Sequence, residues 1–389
     1  MTKAIRKASA VFMLMLLSSS LQGQELSQAY IADEPDDVRL SPDGKYVVAV
    51  TRGATPGSSR NLLTMRLSDG FAKAITGYTG TDVRSFFWAN DERLIFGVDR
   101  KSEDAGAPEY RGSYTILRDG TGGRKLLERR LRRRSPAQLI SGSPPQLLHR
   151  LPTDWKSVLV SSITAASAFP EVYLLDVDSG RLKRVVANEH SISRWITDNA
   201  GIVRAAIDKG DDVLDGRQRL WYRDLPDQVW DIATTYSENE LSVLAFHAGN
   251  RRLIVTARTA HGFKALRYMS PTGELGEVIL FDPVYDIGDL SGGAVGLKQT
   301  DQGRVVYYQY MADAITTVYF DPRWEARQVI IDEALADTTN TVIDWSDDER
   351  RLLVVARGDD SPGDYYLFET TEQKLKFIQP PAQWVKAKR

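Results

Sequence analysis

The stretch Asp36–Val50, DDVRLSPDGKYVVAV, decides the fold. Apolar residues alternate at Val38 and Leu40, stop at Ser41-Pro42-Asp43-Gly44, and resume in the run Tyr46–Val50. Short runs of this kind around a Pro-Asp-Gly cluster read as strand, tight turn, strand. Two further strands follow, Asn61–Leu67 and FAKAIT, joined at Ser68-Asp69-Gly70. The same order returns along the chain. It reads DVRSFFW, AND, RLIFGV from Asp82; QLLHRL, TDWK, SVLVSS from Gln146; and ISRWI, TDNAG, IVRAAI from Ile192. Then come LSVLAF, HAGN, RLIVTA from Leu241; GAVGLK, TDQG, RVVYYQY from Gly293; and TVIDW, SDDE, RLLVVA from Thr341.

Seven units of four short strands, at a period of roughly 45 to 65 residues, predict an all-β fold, a seven-bladed β-propeller of four-stranded blades. A single twisted sheet cannot bury both faces, whereas blades set radially cover one another. The second strand of each unit is apolar almost throughout, as a strand covered on both sides must be. A two-sheet sandwich is the competing all-β arrangement, and the regular period disfavours it. Asp321-Pro322 offers an N-cap and a first-turn proline, and RWEARQVIIDEALAD is rich in helix formers. One short helix is therefore expected at 322–336, in place of the last strand of blade six. No long strand precedes unit one, and unit seven ends on its own strand, Lys374–Ile378. The ring is expected to close by packing of blade one on blade seven, without shared strands.

The chain has 389 residues, 42% of them hydrophobic, with 50 Lys and Arg against 52 Asp and Glu. That balance argues against nucleic-acid binding, which calls for a basic excess. No cysteine occurs, which excludes disulfides, thiolate metal sites, a Cys nucleophile and lipid attachment at a mature N-terminal cysteine. Lys3, Arg6 and Lys7, then the apolar run Ala8–Leu17, then Ser18–Ser20 follow the order of a secretory signal peptide. About ten apolar residues are too few for a membrane span, which takes about twenty. The expected organisation is a signal peptide at 1–23, a propeller at 24–380 and a tail at 381–389, with no membrane span after cleavage. An uncleaved anchor is the alternative. The mature protein is expected to be exported, and periplasmic in a Gram-negative source.

Acyl-transfer chemistry needs a nucleophile on a strained turn, a base and oxyanion donors. No G-x-S-x-G elbow occurs, and Gly57-Ser58-Ser59 and Ser141-Gly142-Ser143 lack strand–turn–helix context. The four histidines, His149, His190, His247 and His261, read as structural or exposed. The carboxylates at Asp33–Asp37, Asp211-Asp212, Asp347-Asp348-Glu349 and Asp359-Asp360 fall at turns, where Asp bonds the local backbone. Their spacing is not that of an EF-hand. The basic run Arg129–Arg134 reads as a solvated edge, and Arg357-Gly358-Asp359 as coincidence. No phosphate-cradling or dinucleotide glycine loop occurs. No catalytic, cofactor-binding or metal-ligating residue is assigned, and no cofactor is expected.

Several longer phrases resemble the propeller of bacterial secreted serine peptidases of the prolyl oligopeptidase family, the dipeptidyl- and acylaminoacyl-peptidase-like branch. They are RLSPDGKYVVAV (39–50), SFFWANDERLIFGV (85–98), SISRWITDNAGIVRAAI (191–207), RLWYRDLPDQVW (219–230), TTVYFDPRWEARQVIIDEAL (316–335) and TVIDWSDDERRLLVVARGDDSPGDYYLFE (341–369). The order Trp195, Asp198, Gly201, Arg204 is more specific than SPDG alone. The resemblance implies a substrate-gating lid over an α/β-hydrolase domain, which would begin at the 381–389 tail. The family's Ser, Asp and His have no counterparts in this sequence, so the chain is expected to be catalytically inactive alone. The alternative is an exported scaffold that binds short peptides or a protein partner at the propeller face or channel, with Trp195, Trp345 and Tyr46 as exposed aromatic candidates. A metal-dependent propeller lactonase is disfavoured by the few histidines and unclustered carboxylates.

Overall fold

A computed structural model describes residues 37–52, 57–100, 109–128, 144–164, 167–208, 216–237, 239–288, 296–358 and 361–378. Each blade is a meander whose neighbouring strands are consecutive in sequence. Blade one is β1 (Asp37–Leu40), β2 (Tyr46–Arg52), β3 (Arg60–Arg66) and β4 (Ala72–Ala74). Blade two is β5 (Thr81–Trp88), β6 (Arg93–Arg100), β7 (Glu109–Leu117) and β8 (Arg124–Glu128). Blade three is β9 (Gln146–His149), β10 (Ser157–Ser162), β11 (Glu171–Asp176) and β12 (Leu182–Val186). Blade four is β13 (Ile192–Thr197), β14 (Val203–Asp208), β15 (Arg217–Tyr222) and β16 (Asp231–Ser237). Blade five is β17 (Leu241–Phe246), β18 (Leu253–Arg258), β19 (Lys264–Met269) and β20 (Leu275–Leu280). Blade six is β21 (Leu297–Gln299), β22 (Val305–Met311) and β23 (Ile315–Tyr319), followed by α1 (Pro322–Ala334). Blade seven is β24 (Thr339–Trp345), β25 (Arg351–Gly358), β26 (Ser361–Glu369) and β27 (Lys374–Ile378).

These sheets form the seven-bladed β-propeller that the repeats predict. Among the described residues, six blades have four strands and blade six has three, followed by α1. Asp321 starts that helix as expected, its carboxylate accepting from Arg323 N at 3.0 Å and its carbonyl from Trp324 N at 2.9 Å. The helix stops two residues short of the predicted end, where the Thr338 hydroxyl and Asn340 amide cap the Leu335 carbonyl.

Two compact units make up the chain, residues 125–330 and the remainder. In the remainder, blades one and seven share a core of Val38, Leu40, Val47, Leu63, Leu353, Val355 and Leu367. Blades one and two share another around Val48, Val50, Phe86, Leu94 and Phe96. Within 125–330, blades three and four meet at Leu159, Val172, Trp195 and Trp221, and blades four and five at Ala205, Leu220, Phe246 and Val255. The second strands carry most of this burial, since neighbours cover both their faces: all of Val47–Val50 is inaccessible to solvent. Each buried valine contributes about 1.5–3 kcal/mol on leaving water.

Among the described residues, no strand from one chain end completes the blade of the other. Closure instead uses packing and four polar contacts between blades one and seven. Leu40 N donates to Asp344 Oδ2 at 2.8 Å, Arg351 Nη1 to Gly44 O at 2.9 Å, Asp347 N to Pro42 O at 2.8 Å and Lys376 Nζ to Leu67 O at 3.0 Å.

Candidate functional site: a cavity where blade six is incomplete

The turn between first and second strands has a repeated chemistry. In blade one, Ser41 Oγ accepts from Lys45 N at 3.0 Å and Tyr46 N at 2.9 Å. In blade four, Asp198 Oδ1 accepts from Ala200 N at 2.9 Å and Ile202 N at 3.0 Å. Thr300 Oγ1 accepts from Arg304 N at 3.3 Å in blade six, and Ser346 Oγ from Arg351 N at 3.1 Å in blade seven. A small acceptor at this position satisfies backbone N–H groups that the turn leaves unpaired. Blade five has His247 there, its Nδ1 reached by Gly249 N at 3.5 Å. An imidazole is larger than a hydroxyl, and this one reaches beyond its turn.

It borders a cavity of about 220 Å3 between blades five and six. Ile254, Leu266, Tyr268 and Ile279 of blade five form one wall, and Val305 and Phe320 of blade six the other. His247, Ala248 and Arg304 complete the lining at the turn end. After β23 the chain turns at Phe320 into α1.

Charge gathers at the turn end. Arg304 is ion-paired to the buried Asp321, and Arg323 Nη2 reaches the same carboxylate at 2.9 Å. The Arg323 hydrogen bond, opposed by partial burial and helped by Arg304, holds the Asp321 carboxyl below its usual range. Two guanidinium groups thus share one carboxylate. The Arg252 guanidinium covers the Tyr268 ring at 3.8 Å from its centroid, and His247 meets that ring edge-on at 5.1 Å. Burial, and then Arg252, lower the His247 pKa, so its imidazole is neutral at pH 7.

Beside the cavity, the turns of blades three to six are laced together. Asn199 Nδ2 donates to His247 O at 3.0 Å and Asn250 Oδ1 at 2.7 Å. Gly303 of blade six packs directly on that amide. Arg150, just past β9, is ion-paired to Asp301 in the blade-six turn. Arg204 donates to Asn250 O at 2.8 Å, to Asp224 at 2.9 Å and to the Tyr222 hydroxyl, and lies 3.6 Å from Asp198. Burial, and then the Asp224 hydrogen bond, push Tyr222 up to about 12.

The sequence-based candidates fall as follows. Trp195 is buried, not exposed as expected: the blade-three core covers its ring, and Nε1 donates to Pro170 O at 2.6 Å. Trp345 is half-buried at the end of β24. Tyr46 lies on a second strand, half-buried under the Arg118 guanidinium at 4.3 Å. His149 Nδ1 accepts from Leu151 N at 3.0 Å, and His190 stacks on Trp221 at 4.1 Å. His261 lies in a turn, 6.2 Å from Phe281. Ser59 is buried just before β3, with no helix after it. Asp348 accepts from Ser346 Oγ at 2.6 Å and Arg350 N at 3.0 Å, the local turn role expected of it. Among the described residues, no three His, Asp or Glu side chains gather as metal ligands, and no helix is long and apolar enough to cross a membrane. The signal-peptide segment, Arg129–Arg134, Ser141–Ser143, Asp211-Asp212, Asp359-Asp360 and the tail lie outside the described residues. His247 was readable only as a turn residue; the signal for its position was a histidine where blades one, four, six and seven place Ser41, Asp198, Thr300 and Ser346.

No protein-family model matches the chain, and no curated protein matches it. Solved structures do. Puromycin hydrolase is similar over 90% of this chain and 54% of its own, at 14% identity and a TM-score of 0.52. A puromycin-hydrolyzing peptidase of Mycobacterium tuberculosis is similar over 92% of this chain and 54% of its own, at 12% identity and a TM-score of 0.52. The β-propeller domain of the trilobed protease from Pyrococcus furiosus, described as having an open velcro topology, is similar over 89% of this chain and 97% of its own, at 9% identity and a TM-score of 0.50. This chain thus spans about half the length of the two puromycin-hydrolysing proteins and nearly all of the propeller domain. At these identities the likeness is one of fold.

Proposed function

We propose that this chain is a substrate-gating propeller of the kind found in prolyl oligopeptidase-family serine peptidases, and that it hydrolyses nothing by itself. The observation that carries the reading is the likeness of fold to peptidase propellers over nine-tenths of the chain. The ring closure supports it. Among the described residues, blades one and seven are joined by packing and isolated hydrogen bonds rather than by a shared strand, so they part without unzipping a sheet. Inactivity follows from the missing nucleophile elbow and from histidines engaged in turns and ring stacks. Export through the N-terminal segment belongs to the same reading, and N-terminal sequencing of the mature protein checks it.

The test is incubation of the purified chain with chromogenic di- and tripeptide substrates and with a serine-directed fluorophosphonate. Neither turnover nor labelling is expected. Sustained hydrolysis that titrates with one labelled serine would sink the proposal.

A second reading, an exported scaffold that binds peptides or a protein partner, is favoured by the cavity between blades five and six. Reproducible retention of one peptide class by the immobilised chain supports it, and retention of none counts against it.

A further inference from the structure

We propose that β23, the last strand of blade six, takes an extended peptide as the fourth strand of its sheet. This rests on the second reading above, a scaffold that binds peptides, and not on the gating role.

The sequence leaves this edge unprotected. Proteins keep open strand edges from pairing by placing charge on them. The last strands of the other six blades all do so, with Lys73 in β4, Arg124 in β8, Lys183 in β12, Asp231 in β16, Glu277 in β20 and Lys374 in β27. The five residues of β23, Ile315 to Tyr319, carry no charge, and all are β-branched or aromatic, the types that favour strands. The strand is also less covered than its equivalents. Val172 of β11, Leu220 of β15 and Leu266 of β19 are buried, whereas no residue of β23 is.

The backbone has free groups to offer. Phe320 N donates to Val306 O at 2.9 Å, and the register pairs Val318 with Tyr308 and Thr316 with Tyr310. Alternate residues of an antiparallel ladder bond the same neighbour, so Thr316 and Val318 bond β22 and Ile315 and Thr317 turn their N–H and C=O outward. Among the described residues, no strand pairs with that side, and neither outward N–H donates to another residue. The helix α1 meets the opposite end of the strand, where Tyr319 Oη donates to Gln328 Oε1 at 2.8 Å, and Ile315 is exposed.

The same register describes the occupant. Residues opposite one another in a ladder share a face. Val318 and Phe320 pack on the cluster of Ile254, Leu266 and Tyr308, as Ile279 and Leu280 of blade five do. The matching segment therefore alternates, with apolar side chains opposite Thr316 and Val318, and bonds β23 through the N–H and C=O groups of the residues opposite Ile315 and Thr317. A second folded copy fits less well. Stable interfaces bury roughly 1,200–2,000 Å2, of which a five-residue edge supplies a small part, whereas a peptide needs only the edge and room for alternate side chains.

The test is a fluorescence-anisotropy titration of the full chain with labelled Lys-Val-Thr-Val-Thr-Val-Lys. Saturable binding is expected. N-methylation of both threonines, whose N–H groups face β23, is expected to weaken it about tenfold or more, and N-methylation of two valines to leave it unchanged. Thr317→Pro removes an outward N–H that β22 does not use, and Ile315→Lys adds the charge that the other edges carry. Both are expected to weaken binding about tenfold, with the thermal midpoint of Ile315→Lys unchanged, so loss of fold does not explain the result. Binding that ignores both variants, or equal loss with either methylated peptide, would overturn the assignment of β23 and leave the scaffold reading standing. Absence of binding by this peptide and retention of no peptide class would overturn both. A concentration-dependent dimer in analytical ultracentrifugation, broken by Ile315→Lys and without peptide binding, would give the edge to a second copy and overturn the peptide.

Discussion

Arg351 Nη1 donates to the carbonyl of Gly44 at 2.9 Å, joining blade seven to blade one across 307 residues of sequence. Gly44 is held at φ +67, and a Cβ there would lie 2.9 Å from Arg351 Cδ. The glycine of the SPDG turn thus has two roles: it allows the left-handed turn, and it leaves room for the arginine that closes the ring.

Closure of this kind predicts an order of sensitivity. Asp344→Ala leaves the Leu40 N–H, on a residue that is 2% exposed, without its carboxylate partner. An orphaned buried donor costs about 1–3 kcal/mol. Arg351→Ala removes a contact to Gly44 O and an ion pair to Glu369 at 3.1 Å, both half-exposed, and is expected to cost about 1 kcal/mol. Urea denaturation of both variants checks the order. Equal midpoints for wild type and Asp344→Ala would show that packing alone holds the seam.

Gly303→Ala is expected to be among the most damaging single methyl additions. Its φ is +75, and its Cβ would lie 2.2 Å from Asn199 Nδ2. Asn199 would have to leave His247 O and Asn250 Oδ1, which adds lost hydrogen bonds to backbone strain. The sum is about 2–4 kcal/mol. Asn199→Ala removes the obstacle, so the double variant is expected to be more stable than the two single losses predict. Simple additivity in denaturant titrations would contradict the direct contact.

Trp195→Phe keeps most of the ring packing but deletes the donor to Pro170 O, a 2.6 Å bond between blades three and four. Pro170 O keeps a 2.8 Å bond from Asn188 Nδ2, so the expected loss is that of one hydrogen bond, about 1 kcal/mol, read as a lower thermal midpoint. A neutral result would mean that the Asn188 amide alone satisfies the Pro170 carbonyl.

The ring and its strands were legible because period-two alternation and turn residues at fixed offsets depend on local physics. Val47–Val50, Leu94–Phe96 and Leu352–Val355 read as doubly covered strands and are buried. The helix after Phe320 was also legible, since Asp321-Pro322 carries its own start signal. The cavity was not, because residues far apart in the chain line it: Ile254 and Phe320 look like ordinary core. Trp195 was misread for a related reason. A tryptophan on an inner strand faces the channel or the next blade according to register, and β-bulges between Ile192 and Arg194 and between Ile196 and Thr197 alter the alternation. Composition does not reveal a bulge.

The mouth of the cavity carries two titrations of the same sign. Asp321 is depressed in the folded state, chiefly by the Arg323 hydrogen bond, against an ordinary value of 3.8. Its stabilisation is full above that ordinary value and is lost as pH falls through the lower, folded one. Asp321→Asn keeps an N-cap acceptor but loses the charge between Arg304 and Arg323. The variant is therefore expected to be less stable than wild type at pH 5 and above, with the gap closing below pH 4. His247 is depressed by burial and by Arg252, against 6.5. Protons then favour the unfolded chain as pH drops below 6.5, and the penalty is complete below the folded value. His247→Gln is expected to flatten the stability profile just below pH 6.5 while leaving the acid limb of Asp321 in place. Thermal midpoints of wild type and both variants from pH 3 to pH 7 separate the two limbs, and a wild-type profile unchanged by His247→Gln would mean that the imidazole is solvated in the folded state.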